Sequence, residues 1–164
     1  DVTEYALVNK GTDSLGDWIN NFQQPIGLST DMKNSIEEAK ALVESHSGYE
    51  VTMVGHSKGA AEAVANAVAT NTNCIVFNPA TTFLSSYNLS ADTYNADMTV
   101  YVVRGELLNA VEGWFSKPID KFVPLKQLYP TWSILPDSVR IYNSFKNHSM
   151  DAVIWGLKHT GGVS

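Results

Sequence analysis

Apolar residues along this chain fall into short runs separated by longer stretches of mixed character. The first run is Tyr5-Ala6-Leu7-Val8, closed by Asn9-Lys10-Gly11-Thr12. Val51-Thr52-Met53-Val54, Cys74-Ile75-Val76-Phe77 and Thr99-Val100-Tyr101-Val102-Val103 repeat it, each closed within two residues by Gly or Pro. Runs this short and this apolar predict buried strands. Val139 to Tyr142 is expected to form a last strand of the same kind.

The intervening stretches follow a helical period. Met32, Ile36, Ala39 and Val43 mark one face of a helix from about Asp31 to His46, capped by Ser29 or Thr30 and stopped by Gly48. Leu15, Trp18, Ile19 and Phe22 share a face by their spacing, so a short amphipathic helix is expected between Asp13 and Pro25. Ala60 to Ala69 is strongly helical by composition, and Asp151 to Lys158 is expected as a last helix. Asn88 to Asp97 is polar and loop-like, and Leu107 to Pro136 reads as irregular. Alternating strands and helices predict an α/β fold with a mostly parallel sheet and helices on both faces. No repeat, low-complexity tract or linker interrupts residues 1–164, which read as one domain.

Composition narrows the function classes. A length of 164 residues with 44% hydrophobic content suffices for a real core. The net charge of -6 argues against nucleic acid as a partner, because no basic stripe is there to neutralise phosphates. It also weakens attraction to anionic membranes, without bearing on apolar contact with lipid. The single Cys74 rules out an internal disulfide framework and reads as a buried structural thiol. No stretch reaches the roughly 18 apolar residues of a membrane span. The chain opens on Asp1 without a methionine, as expected of a fragment of a longer chain or a processed product.

The chemistry concentrates in Gly55-His56-Ser57-Lys58-Gly59, a G-x-S-x-G motif. A serine on a sharp strand-to-helix turn has its hydroxyl pushed out above the sheet, and glycines are needed where side chains would collide. Here the motif follows an apolar strand and opens an alanine-rich helix, which is the context an α/β-hydrolase nucleophile elbow requires. Neither the G-x-G-x-x-G nor the Walker pattern is present, which disfavours a phosphate turn. Ser57 is thus the candidate nucleophile, and the N–H of Lys58 a candidate oxyanion donor at the positive end of the helix. The chain order Ser, acid, His of this fold selects His148, with His159 as the fallback. His46 precedes the elbow, and His56 would point away from its neighbour's hydroxyl. Glu106, just beyond the strand ending at Val103, is the candidate acid, with Glu112 and Asp120 as rivals.

Tyr5 to Pro79 resembles the class 3 lipase family. In that family a strand ends in an R-G-T or R-G-S turn followed by a short helix carrying a tryptophan, matched here by Lys10-Gly11-Thr12 and Asp17-Trp18-Ile19. The family's G-H-S-L-G-G elbow corresponds to Gly55 to Ala60, with Lys58 and Ala60 substituted, and the G-H-S-K-G form looks like a bacterial branch. The resemblance implies a triad of Ser57, Glu106 and His148 and places a second oxyanion donor at Thr12. It implies a lid over about Asp13 to Phe22. The chain is shorter than a full family member, because strands expected before Tyr5 are missing, so the fold is expected to be reduced or N-terminally truncated, or completed by another segment of the parent chain.

Together these features point to a serine hydrolase of lipid acyl esters, of lipase or phospholipase A1 type, with no metal or organic cofactor. Trp18 and Phe22 are candidate lid residues, and Trp114 and Phe115, with Phe122 and Trp132, candidate pocket walls; core packing is the competing use of such aromatics. A short-chain esterase, a thioesterase and a non-catalytic binding module on the same fold are the alternatives. A lipid or acyl ester is the expected partner, with contact at a lipid interface, and a secreted or delivered bacterial protein, such as a toxin or effector domain, is compatible with the sequence.

Overall fold

A computed structural model describes residues 3–9, 30–79, 89–105 and 121–161. Among the described residues five strands form one sheet in the order β1-β2-β3-β4-β5, and its four pairings are parallel. They are β1 (Glu4–Asn9), β2 (Glu50–His56), β3 (Asn73–Phe77), β4 (Met98–Val103) and β5 (Lys121–Leu125). The helices are α1 (Thr30–Ser45), α2 (Lys58–Thr70), α3 (Asp137–Asn147) and α4 (Met150–His159). The α/β architecture expected from the alternation is therefore present. None of the described helices is long and apolar enough to cross a membrane.

Side-chain alternation along the strands divides the core in two. On one face Val51 and Met53, Cys74 and Val76, and Met98, Val100 and Val102 pack with Ala60, Ala63, Val64 and Ala67 of α2. On the other, Val103 and Leu125 pack with Ala152 and Val153 of α4, flanked by Phe77, Tyr101 and Val123. Small side chains let α2 approach the sheet closely. Its outer side carries Ala61 and Ala65, which meet Met32 and Ile36 of α1. The expected stripe of α1 is thus its buried face. Cys74 is buried in the first core, and burial pushes its thiol up to about 12.

Two elements differ from the sequence expectation. Val139 to Tyr142 is not a strand: it lies inside α3. Val139, Ile141 and Tyr142 are exposed, so no sheet neighbour rewards their β-propensity. Pro136 precedes the first turn and Asp137 and Lys146 sit at the dipole ends that suit their charges. The last strand is instead β5, inside the stretch read as irregular. Pro124 masks it in the sequence, yet β5 lies at the sheet edge, where a missing N–H is tolerated.

Candidate active site

The parallel register brings the carboxyl ends of the strands together: Asn9 pairs with Gly55, His56 with Phe77, Phe77 with Tyr101 and Val103 with Leu125. Ser57 stands at this edge, between the end of β2 and the start of α2. Its backbone has φ 56 and ψ -122, a conformation that costs on the order of 1–3 kcal/mol for a residue other than glycine. The surroundings hold it there. Ser57 N–H donates to the Phe77 carbonyl at 3.1 Å, and its own carbonyl accepts from Ala60 N–H at 3.1 Å. Gly55 permits the close turn, since a Cβ at that position would run into the carbonyl of Gly59. Lys58 is the first residue of α2, so its N–H has no partner in the preceding turn of helix.

His148 is the residue immediately after α3, at its C-terminal cap. Its Nε2 lies 2.7 Å from Ser57 Oγ. Both residues are buried, Ser57 at 2% and His148 at 4% exposure, so the pair is shielded from bulk water. The structure thus brings together two of the residues selected from the sequence, 91 positions apart. His159, the fallback base, is exposed, with its Nδ1 on the Trp155 carbonyl at 2.7 Å and its ring stacked on Trp155. Thr12, Trp18, Phe22, Glu106, Trp114 and Phe115 lie outside the described residues, as do Glu112, Asp120 and the expected lid helix.

Two further polar side chains reach His148, and a third holds the residue before it. His56 turns its Nε2 onto the His148 carbonyl at 2.7 Å. A carbonyl only accepts, so this nitrogen carries the hydrogen. Burial lowers the His56 imidazole to about 4, against the raising effect of its hydrogen bond to the His148 carbonyl and with a smaller push from the His148 ring, so it is neutral near pH 7. Asn78, at the end of β3, donates through Nδ2 to the carbonyls of Asn147 at 3.1 Å and His148 at 3.3 Å. Asn147 is itself clamped, accepting from Tyr129 N–H at 3.0 Å and donating to the Tyr129 carbonyl at 2.8 Å. Sequence reasoning assigned none of these three a role. The available signal was Asn78-Pro79 at the carboxyl end of a parallel strand beside the elbow strand.

A second polar group ties the end of β1 to the helices. Asn9 Nδ2 donates to Ser35 Oγ and Glu62 Oε2, each at 3.3 Å, and Asn66 Nδ2 donates to Ser35 Oγ at 2.9 Å. Burial raises the Glu62 carboxyl above its ordinary value, against the lowering effect of the Asn9 hydrogen bond. Among the described residues no group of three or more His, Cys, Asp or Glu could hold a metal ion.

Comparison with known proteins matches residues 1–123 to the family model for a Tle-like phospholipase domain. That stretch includes Ser57 and ends before α3 and His148. An extracellular phospholipase A1 of Serratia liquefaciens is 31% identical over 87 residues, a stretch covering 53% of this chain. The chain spans 27% of that relative's length.

Proposed function

Since the chain belongs to the Tle-like phospholipase domain family, we propose that it hydrolyses acyl esters of lipids through a covalent acyl-serine intermediate. Ser57 is the nucleophile and His148 the general base. His148 Nε2 takes the proton of Ser57 Oγ as that oxygen attacks the ester carbonyl. The negative charge on the tetrahedral oxygen falls to the N–H groups of Lys58 and Thr12. The protonated imidazole then gives its proton to the departing alcohol, and water clears the acyl group by the reverse path. Glu106 is the acid we assign to Nδ1 of His148, because it follows β4 as the chain order of this fold requires. Trp18 and Phe22 are assigned to a lid and Trp114 and Phe115 to the acyl pocket.

The observation carrying this reading is the 2.7 Å approach of His148 Nε2 to Ser57 Oγ at a strained strand-to-helix turn. A serine with ordinary structural duties has no need of left-handed backbone beside a buried imidazole. Within ester hydrolysis we favour a phospholipase A1 type of cleavage, the activity in the name of the Serratia relative. The class 3 lipase likeness of Tyr5 to Pro79 supports the same bond chemistry.

The test is Ser57→Ala, assayed on phospholipid vesicles and on nitrophenyl acyl esters, with a fluorophosphonate probe as second readout. The substitution is expected to lower turnover at least about 10⁴-fold and to abolish covalent labelling. Turnover that survives it, or a parent chain that is never labelled, would sink the serine mechanism and favour a binding module.

A further inference from the structure

We propose that Asn78 and His56 are positioning residues for His148, acting through its main-chain carbonyl. The proposal rests on the Ser57–His148 reading and extends it to residues outside the reacting pair.

His148 is anchored at the end of α3. A helix leaves its last carbonyls without intrahelical donors. Here the carbonyls of Asn147 and His148 receive side-chain donors from two strand ends. Asn78 reaches both, at 3.1 and 3.3 Å, and His56 reaches the second at 2.7 Å. The His148 carbonyl is therefore held from two directions, one donor on β2 and one just past β3.

The Asn78 amide has only one orientation that works. Its Oδ1 accepts from Val103 N–H at 2.9 Å, while its Nδ2 faces two carbonyls. Rotating the amide would set NH₂ against N–H and oxygen against two oxygens. The backbone is pinned as well: Asn78 N–H donates to the Tyr101 carbonyl at 2.9 Å, φ is 41, and the residue is fully buried. An amide this constrained is a fixed post.

The same two strand ends hold Ser57. Its N–H is bound by Phe77, the residue before Asn78, and His56 precedes it in the chain. Phe77, the last residue of β3, thus holds the serine, and Asn78, just past it, holds the histidine. On β2, His56 does the second while Ser57 follows it. This short frame fixes the main chain of His148, and with it the root of the imidazole, relative to Ser57. A helix end held only by helix packing would let the imidazole swing, and displacement by about 1 Å can cost roughly 100-fold in rate.

The experiment uses Asn78→Gly, which keeps a positive φ available while removing the amide, together with His56→Ala and His56→Gln. Each is assayed on a soluble nitrophenyl ester and for its fluorophosphonate labelling rate, beside Ser57→Ala as control. Asn78→Gly and His56→Ala are expected to lower kcat and the labelling rate by about 10- to 100-fold, with KM within about twofold. His56→Gln, which restores a donor, is expected to recover most of the loss. Parent-level kcat in folded Asn78→Gly and His56→Ala would overturn the proposal, as would a loss appearing only in KM. His56→Gln no better than His56→Ala would overturn the donor role. Should Asn78→Gly fail to fold, the two His56 variants decide the matter. Turnover insensitive to Ser57→Ala would remove the serine mechanism itself, and the positioning role with it; Ser57-dependent turnover unmoved by the other variants would remove the positioning role alone.

Discussion

The two halves of the Ser57–His148 pair are held in place by different means. Ser57 is shaped mostly by its immediate neighbours: Gly55, Lys58 and Gly59 lie within two residues of it, a Cβ at Gly55 would strike the next turn of backbone, and one tie reaches further, from its N–H to the Phe77 carbonyl on the adjoining strand. His148 is fixed from far away, by His56 across 92 positions and Asn78 across 70. One side of the site is a local motif, and the other is assembled only when β2, β3 and α3 have come together. The lesson is that a motif can announce a nucleophile without revealing what holds its base.

The largest effect is expected at the elbow. Gly55→Ala puts a Cβ against the Gly59 carbonyl and the Ala60 Cα, both backbone, so neither can rotate out of the way. It is expected to destabilise the fold by more than about 3 kcal/mol in urea denaturation. A smaller cost would mean that the elbow is softer than its geometry suggests. Asn147→Ala attacks the distant side by leaving the Tyr129 N–H and carbonyl without their partner. A loss of about 2–3 kcal/mol is expected, read from the same denaturation midpoints; no loss would show that water replaces the amide freely.

The gentlest probe is pH. The His56 imidazole sits at about 4 in the folded chain against an ordinary value of 6.5. Between those values the unfolded chain binds a proton at this position that the folded chain does not. Its contribution is therefore complete above about pH 6.5 and declines as the pH falls toward about 4. About 2 kcal/mol should be lost between about pH 6.5 and about pH 5 from this group alone. His56→Gln should flatten that part of the stability profile, and an unchanged slope would place the titration elsewhere.

Much of the scaffold was legible in the amino-acid pattern. β1 to β4, α1, α2 and α4 were all expected, with ends displaced by at most two residues, because apolar runs and a helical stripe coincide with Gly and Pro boundaries there. The end of the chain was harder. Pro124 hid an edge strand, and Val139, Ile141 and Tyr142 suggested a strand where solvent-facing helix positions give such residues no sheet to pack on. Choosing His148 by chain order led to a residue beside Ser57, although the strand it was thought to follow does not exist; β5 supplies that strand instead. Asn78, Asn147 and the use of His56 were hidden, since their meaning lies in contacts spanning 18 to 92 positions. Glu106 and Thr12 remain expectations from the sequence order and the family likeness.

The residue after Asn78 bears on chemical ageing. Asparagine deamidates when the backbone nitrogen of the next residue attacks the side-chain amide and closes a five-membered imide. At Asn78 the next residue is Pro79, whose nitrogen carries no hydrogen to lose. The ordinary ring closure is blocked at the amide that grips the His148 carbonyl. Conversion to aspartate there would set a carboxylate against two carbonyl oxygens, and the proline that follows it guards the chain against that slow drift.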